Sequence, residues 1–245
     1  MNHPKAGDSQ SQPCALILAI GTELTTGQVT NRNAPWISEK LEQLGIQTSH
    51  HITVPDDRAL ILEALNNSRA DFIFVTGGLG PTSDDFTREV IAEWTELPLE
   101  FHPASWDQIG ERLTRLKIPV APSNKQQCYF PKGSTVIVNK EGTANAFRIK
   151  NAWILPGPPR EIEAVWPQVL AQLQELVPPA AREELLLWQL MGKSEAEVGE
   201  MTEQALAGAN LRVGYRAHRP FVEVKVWVRA DEREQKAHYL ETLAH

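Results

Sequence analysis

The chain opens with a polar stretch, MNHPKAGDSQSQ, followed by an unbroken apolar run, CALILAI, that stops at Gly21. A short continuous apolar run closed by glycine is how a strand buried on both faces of a parallel sheet looks. The spacing then turns helical: Asn33 is placed to cap, Pro35 suits a first turn, Ile37, Leu41 and Leu44 recur along one stripe, and Gly45 ends the segment. ITVPDD predicts a second strand, with Asp56 or Asp57 capping a helix that carries Leu60, Ile61, Ala64 and Leu65. DFIFVT predicts a third strand, and Phe86, Val90 and Trp94 stripe the helix after it. Three such alternations imply right-handed crossovers and a parallel sheet with helices on both faces. Ligands then bind at the carboxyl ends of the strands, where Gly21 and Gly77 fall.

Further along, Trp106, Ile109, Leu113 and Leu116 predict a helix, TVIVN and AWILPG predict strands separated by the loop KEGTANA, and PGPPREIEAVWPQVLAQLQEL predicts a helix with a proline-rich start. The segment VPPAA, residues 177–181, is the expected linker. Beyond it come strand-like ELLLWQL, a capping box from Ser194 to Glu197, strand-like LRVGYR, the alternating FVEVKVWVRA and the helical DEREQKAHYLETLAH. The expected organisation is a disordered tail over residues 1–13, an α/β domain with a mostly parallel sheet over 14–176, and a smaller α+β domain over 182–245.

Composition narrows the function classes. A formal net charge of -7 over 245 residues argues against bulk attraction to nucleic acid or to an anionic membrane. The two cysteines, Cys14 and Cys128, lie far apart with no zinc or dithiol spacing, which fits a reducing cytoplasm. The early apolar run, Ala15 to Ile20, is too short to span a bilayer. The histidines show no paired metal spacing, and no G-x-S-x-G elbow points to a serine nucleophile.

Chemistry concentrates in VTGGLGPTSDDFT. Gly77, Gly78 and Gly80 let backbone amides turn inward as an anion nest beside a helix start, with Thr82 in the same loop. The loop is neither a triphosphate P-loop nor a dinucleotide G-x-G-x-x-G fingerprint, and spacing alone leaves a plain structural turn equally open. Asp84 and Asp85 follow at once; acids in the first turn of a helix are explained by its dipole, at roughly 0.3 to 1 kcal/mol each. A carboxylate 4 Å from one phosphate charge costs about 4 kcal/mol at an effective dielectric near 20, which the dipole does not offset. A divalent cation between them removes the conflict, and oxygen-only ligands suit magnesium or manganese. Glu23 after the first strand, the polar Asn124, Lys125 and Gln126, and the rigid Pro156-Gly157-Pro158-Pro159 segment are further candidates to contact a nucleotide, each with an ordinary surface or turn role as its alternative.

The stretches GTELTTGQVTNRNAPWISEKL, VTGGLGPTSDDFTREVIAE, PSNKQQ, ILPGPPREIEAVW and GKSEAEVGE resemble the amino-terminal portion of the CinA (competence/damage-inducible) family, within the molybdopterin-binding superfamily. The resemblance implies a three-layer, molybdopterin-binding-like domain followed by a small KH-like domain, and commonly a homodimer. It implies divalent-metal-dependent hydrolysis of ADP-ribose at the pyrophosphate, giving AMP and ribose 5-phosphate, with magnesium, manganese or cobalt as the metal. It associates Asp85, and by extension Asp84, with metal and catalysis, and places Gly142 and Thr143 at the substrate. The alternatives are a non-catalytic nucleotide or pterin binding module and a molybdopterin-processing enzyme. CinA proteins usually carry a further domain that deamidates nicotinamide mononucleotide; with the chain ending at His245, that activity is not expected. The small domain lacks a G-x-x-G loop flanked by basic residues, so RNA is not an expected partner. The family loop usually reads GTAPG and is Gly142-Thr143-Ala144-Asn145-Ala146 here, and the Ala146 methyl group is expected to clash if that position needs positive φ or lets a ligand approach closely.

Overall fold

The computed structural model describes residues 13–177, 183–229 and 231–244. The expected tail apart from Pro13, and the expected linker apart from Val177, lie outside the described residues. The chain divides into two compact units, Met1–Glu39 with Gln47–Leu173 and Lys40–Ile46 with Gln174–His245.

The first elements in chain order are β1 (Cys14–Ile20), the single turn α1 (Thr22–Thr25), α2 (Asn33–Glu42), β2 (Gln47–Val54), α3 (Arg58–Asn66), β3 (Phe72–Thr76) and α4 (Thr87–Thr95). Then follow β4 (Leu99–Phe101), α5 (Pro103–Arg115), a 3-10 helix over Pro122–Cys128, β5 (Tyr129–Pro131), β6 (Thr135–Ile137), β7 (Ala146–Ile149), β8 (Ala152–Leu155) and α6 (Pro159–Leu176). One six-stranded sheet has the order β2-β1-β3-β8-β7-β6. Its first four strands are parallel and β7 and β6 are antiparallel to their neighbours.

The two-residue period of β3 explains the layers. Phe74 stacks on Trp153 of β8 with ring centroids 5.3 Å apart and packs on Trp166 of α6. Ile73 and Val75 face the opposite way, into a core with Ile61 and Leu65 of α3 and Val90 and Ile91 of α4. Helices therefore cover both faces, and the three-layer α/β architecture with a mostly parallel sheet is the one expected.

Local details differ. The side-chain acceptor at the start of α2 is Asn31, whose Oδ1 accepts from the Ala34 amide at 3.1 Å; Asn33 is the first residue of the helix and its side-chain Nδ2 donates to the Gly157 carbonyl at 2.8 Å. Asp57, not Asp56, caps α3, accepting from the Ala59 and Leu60 amides at 2.9 and 3.0 Å. Asp57→Ala leaves both donors unpaired and is expected to lower stability by about 1 kcal/mol in denaturant unfolding. β2 begins at Gln47, well before ITVPDD. TVIVN is a strand only over Thr135–Ile137, and the predicted loop KEGTANA ends inside β7, an unpredicted strand that continues from Ala146. β4 and β5 also escaped prediction; they pair antiparallel as a separate two-stranded sheet. Strands of three or four residues carry too little pattern to separate from loop.

The second unit contains β9 (Glu183–Met191), α7 (Glu195–Ala205), β10 (Arg212–His218), β11 (Phe221–Arg229) and α8 (Arg233–Ala244). Its antiparallel sheet, β10-β11-β9, has one face packed with Val198, Val222, Val224 and Val226. The predicted capping box is present: the Ser194 hydroxyl accepts from the Glu197 amide and the Glu197 carboxylate accepts from the Ser194 amide. Among the described residues no helix is long and apolar enough to cross a membrane.

Candidate functional site

β3 ends in the middle of the sheet, between β1 and β8, so the loop after it emerges at the carboxyl ends of parallel strands. Gly77 and Gly78 take φ values of +100° and +66°, a region glycine enters without steric cost. Space also demands glycine there. A Cβ on Gly77 would overlap the carbonyl oxygen of Ile20, and one on Gly78 would overlap the Thr87 hydroxyl.

Side chains behind the loop hold its carbonyls. Thr87 donates to the Gly77 oxygen at 3.0 Å, Arg88 Nη2 to the Leu79 oxygen at 2.5 Å, Gln127 to the same oxygen at 3.3 Å, and Gln126 to the Gly80 and Thr82 oxygens at 3.2 and 2.8 Å. The Gly77 amide is committed, donating to the Leu155 carbonyl at 3.2 Å. The expected nest of three glycine amides is thus corrected: those without a partner among the described residues are Gly78, Leu79 and Gly80. Arg88 is buried, and burial lowers its pKa to about 10; its Nε has no partner among the described residues.

Asp84 and Asp85 precede α4 rather than standing in its first turn, where Glu89 sits. The helix-dipole explanation for the pair therefore fails. Asp85 instead closes a turn: its amide donates to the Thr82 carbonyl at 3.1 Å, and its Oδ2 accepts from the Thr82 amide at 3.1 Å and hydroxyl at 2.5 Å. Oδ1 is left over. Asp84 is exposed.

The loop forms one wall of a cavity of about 710 Å³. Thr22 donates from its amide and hydroxyl to Asp56 Oδ2, both at 2.8 Å, which ties α1 to the end of β2 and sets Glu23 at the rim. Pro156-Gly157-Pro158 adjoins the loop as a further wall, where a Cβ on Gly157 would stand in ordinary van der Waals contact 3.7 Å from Gly77 Cα. Glu23, Asp56, Asp84, Asp85 and Glu161 line the cavity, with Arg32 the cation facing them among the described lining residues.

Of the residues singled out from sequence, Glu23, Gly77, Gly78, Gly80, Thr82, Asp84, Asp85, Thr143, Pro156, Gly157 and Pro158 come together in this cavity. Asn124, Lys125, Gln126 and Gly142 are not among its lining residues. Asn124 is buried in the 3-10 helix, where it bonds to the Ala121 amide and the Gln127 side chain. Lys125 sits 5.4 Å from the Phe101 ring centre, and Gln126 is spent on the loop carbonyls. Gly142 lies against the Glu161 carboxylate, which a Cβ would overlap. Neighbouring Gln127 is the member of that helix that reaches the cavity, donating to Thr143 Oγ1 at 3.1 Å.

The departures from the family loop also have a structural account. Ala146 is the first residue of β7, pairs with Ile137 and has no positive φ, so the clash expected from its backbone does not arise. Asn145 is buried and does what proline cannot: its Oδ1 accepts from the Asn139 amide at 2.8 Å, while its Nδ2 donates to Ser105 and Gln108, both at 2.9 Å.

A metal can be judged against these donors. Among the described residues no cluster of three or more His, Cys, Asp or Glu is placed to hold one. Asp84 and the free Oδ1 of Asp85 are oxygen donors of the kind a magnesium-like ion takes, with water and a substrate phosphate as its other ligands.

Comparison with known proteins gives a consistent family. The model of the "Probable molybdopterin binding domain" matches residues 16–175. A "CinA-like protein" of Anaeromyxobacter dehalogenans (strain 2CP-C) is 38% identical over 225 residues, covering 85% of this chain and 53% of its own. A "Putative competence-damage inducible protein" of Clostridium botulinum (strain ATCC 19397 / Type A) is 36% identical over 199 residues, covering 78% and 48%. The chain spans about half the length of these curated relatives. The crystal structure of CinA from Thermoplasma acidophilum, described as of unknown function, superposes with a TM-score of 0.57 at 28% identity, covering 65% of this chain and 98% of that one.

Proposed function

We propose, from the premise that this chain is a CinA-like member of the probable molybdopterin binding domain family, that it hydrolyses the pyrophosphate of ADP-ribose or a related nucleotide with a divalent metal, giving AMP and ribose 5-phosphate. The supporting observation is the charge of the cavity: five carboxylates and one guanidinium surround three unpartnered amides that suit phosphate. A diphosphate brought there without a cation meets repulsion of about 4 kcal/mol per close charge pair at an effective dielectric near 20.

Asp84 and Asp85 would hold the metal, which when bound withdraws charge from the phosphoryl group and makes water a better nucleophile. The Gly78, Leu79 and Gly80 amides receive phosphate oxygens. Pro156-Gly157-Pro158 walls the cavity beside the loop, and Arg32 supplies the protein's own positive charge. Water attacks phosphorus. We further read the protein as cytoplasmic and as a homodimer; sedimentation of the purified chain tests the homodimer.

The decisive assay offers ADP-ribose, FAD, NAD and diadenosine compounds with magnesium, manganese or cobalt. Release of AMP and ribose 5-phosphate from ADP-ribose is expected, falling by about 100-fold or more on chelation. No release with any metal would sink the reading. A binding-only nucleotide or pterin module is favoured by one feature, the absence of a three-ligand acid cluster among the described residues. Saturable binding of ADP-ribose without product would establish that instead.

A further inference from the structure

We propose that Glu161 is the general base of this hydrolysis, and that Asn139 is the positioning residue that leaves one of its oxygens free for the attacking water. The inference rests on the hydrolytic reading above and adds the group that takes the proton.

Asn139 is fully buried and its orientation is fixed by its neighbours. Its Oδ1 accepts from the Glu141 and Gly142 amides at 2.9 and 3.0 Å, so Nδ2 must face the other way. There it donates to the Ala144 carbonyl at 2.9 Å and to Glu161 Oε2 at 2.6 Å. Asn145 accepts from the Asn139 amide and is itself tied to Ser105 and Gln108 of α5, so the donor rests on a rigid element. Gly142 supplies the room, since a side chain there would displace the carboxylate. Oε2 is thereby committed, whereas Oε1 has no hydrogen-bond partner among the described residues and belongs to a cavity-lining side chain.

Of the other cavity acids, Asp84 and Asp85 are assigned to the metal, Asp56 Oδ2 takes two bonds from Thr22, and Glu23 is exposed with no buried donor to orient it among the described residues. Glu161 is half-buried, and burial raises its pKa. The bond from Asn139 and the charge of Arg112 oppose that rise, while Glu141 adds to it. A carboxylate with raised pKa is a stronger base near neutral pH. In the step, Glu161 Oε1 removes one proton from water, the water oxygen bonds to phosphorus, and the bridging P–O bond breaks with its electron pair on the departing phosphate. One water is consumed and nothing is oxidised or reduced.

The test compares the intact protein with Glu161→Gln and Asn139→Ala in metal-supported turnover of ADP-ribose across pH, alongside calorimetric binding of AMP. Glu161→Gln is expected to lower kcat by about 10²- to 10⁴-fold and leave AMP affinity unchanged. Asn139→Ala removes a donor to the charged carboxylate and is expected to move the acid limb of kcat to higher pH. Glu161→Gln turning over like the intact protein, or losing AMP affinity at unchanged kcat, overturns the role of Glu161. An unmoved acid limb in Asn139→Ala overturns the role of Asn139. Absence of turnover by the intact protein in every metal overturns the hydrolytic reading and this role with it, a result separable from the others because it appears before any substitution is made.

Discussion

Asp85→Asn is expected to lower metal-supported turnover by about 10³-fold while shifting stability by less than about 1 kcal/mol. The substitution separates charge from shape. An asparagine Oδ1 can still accept from the Thr82 amide and hydroxyl, the two donors that Asp85 Oδ2 now satisfies, so the turn from Thr82 to Asp85 keeps its closure. What disappears is one negative charge at the proposed metal site, a charge that also acts on the buried Arg88 guanidinium. A charge 4 Å away is worth about 4 kcal/mol at an effective dielectric near 20, and each 1.36 kcal/mol of barrier is about tenfold in rate. Steady-state turnover over a range of metal concentrations, beside a thermal melt, reads both quantities. Equal rates in the two proteins would remove Asp85 from the mechanism. A matching fall in rate and stability would assign it to the loop's architecture instead.

Gly77→Ala is expected to be the most damaging single-methyl change in the loop, costing about 3 kcal/mol of stability, or a fall in Tm of roughly 10 °C. Two effects add. The φ of +100° is one that alanine rarely adopts, and the new methyl group would overlap the Ile20 carbonyl. That carbonyl has little room to retreat, because Ile20 ends β1, is paired with Val54 of β2 and follows Ala19, which is paired with Thr76 of β3. Gly78→Ala meets the Thr87 hydroxyl, the movable end of a side chain, so its expected cost is smaller, about 1 to 2 kcal/mol. In that variant the damage falls on function, since Thr87 also holds the Gly77 carbonyl away from the nest. Thermal and denaturant unfolding of the two alanine variants should rank Gly77 above Gly78, and phosphate affinity should fall in both. The reverse stability order would mean that the loop relaxes elsewhere than at β1.

The central elements were legible because their signals are local. CALILAI is apolar throughout and DFIFVT is apolar from Phe72 to Val75, each is bounded by glycine or a polar residue, and both became interior strands. The Ser194 to Glu197 capping box was readable from two residues and formed as expected. The site was legible in part. GGLGPTSDD announced a loop for anions beside acids, and those residues do line one cavity. PSNKQQ shows the limit: its polar residues are equivalent in sequence, yet the 3-10 helix turns Asn124 inward, Lys125 toward Phe101, Gln126 onto the loop carbonyls and Gln127 toward Thr143. Nothing within the hexapeptide separates those directions, because they depend on what each side chain meets outside it.

The sequence by itself determined the layered α/β architecture, the smaller α+β unit, the glycine loop and the presence of neighbouring acids. Each follows from residues within a few positions of one another, whose periodicity, small size or charge acts locally. Only the tertiary structure decided which acids share a space. Glu23 follows β1, Asp56 follows β2, Asp84 and Asp85 follow β3, and Glu161 stands in the first turn of α6 after β8. These four strands lie side by side and parallel, so their carboxyl ends converge whatever the length of chain between them. That convergence gathers five carboxylates around free amides, and it lets a buried asparagine choose the orientation of one of them.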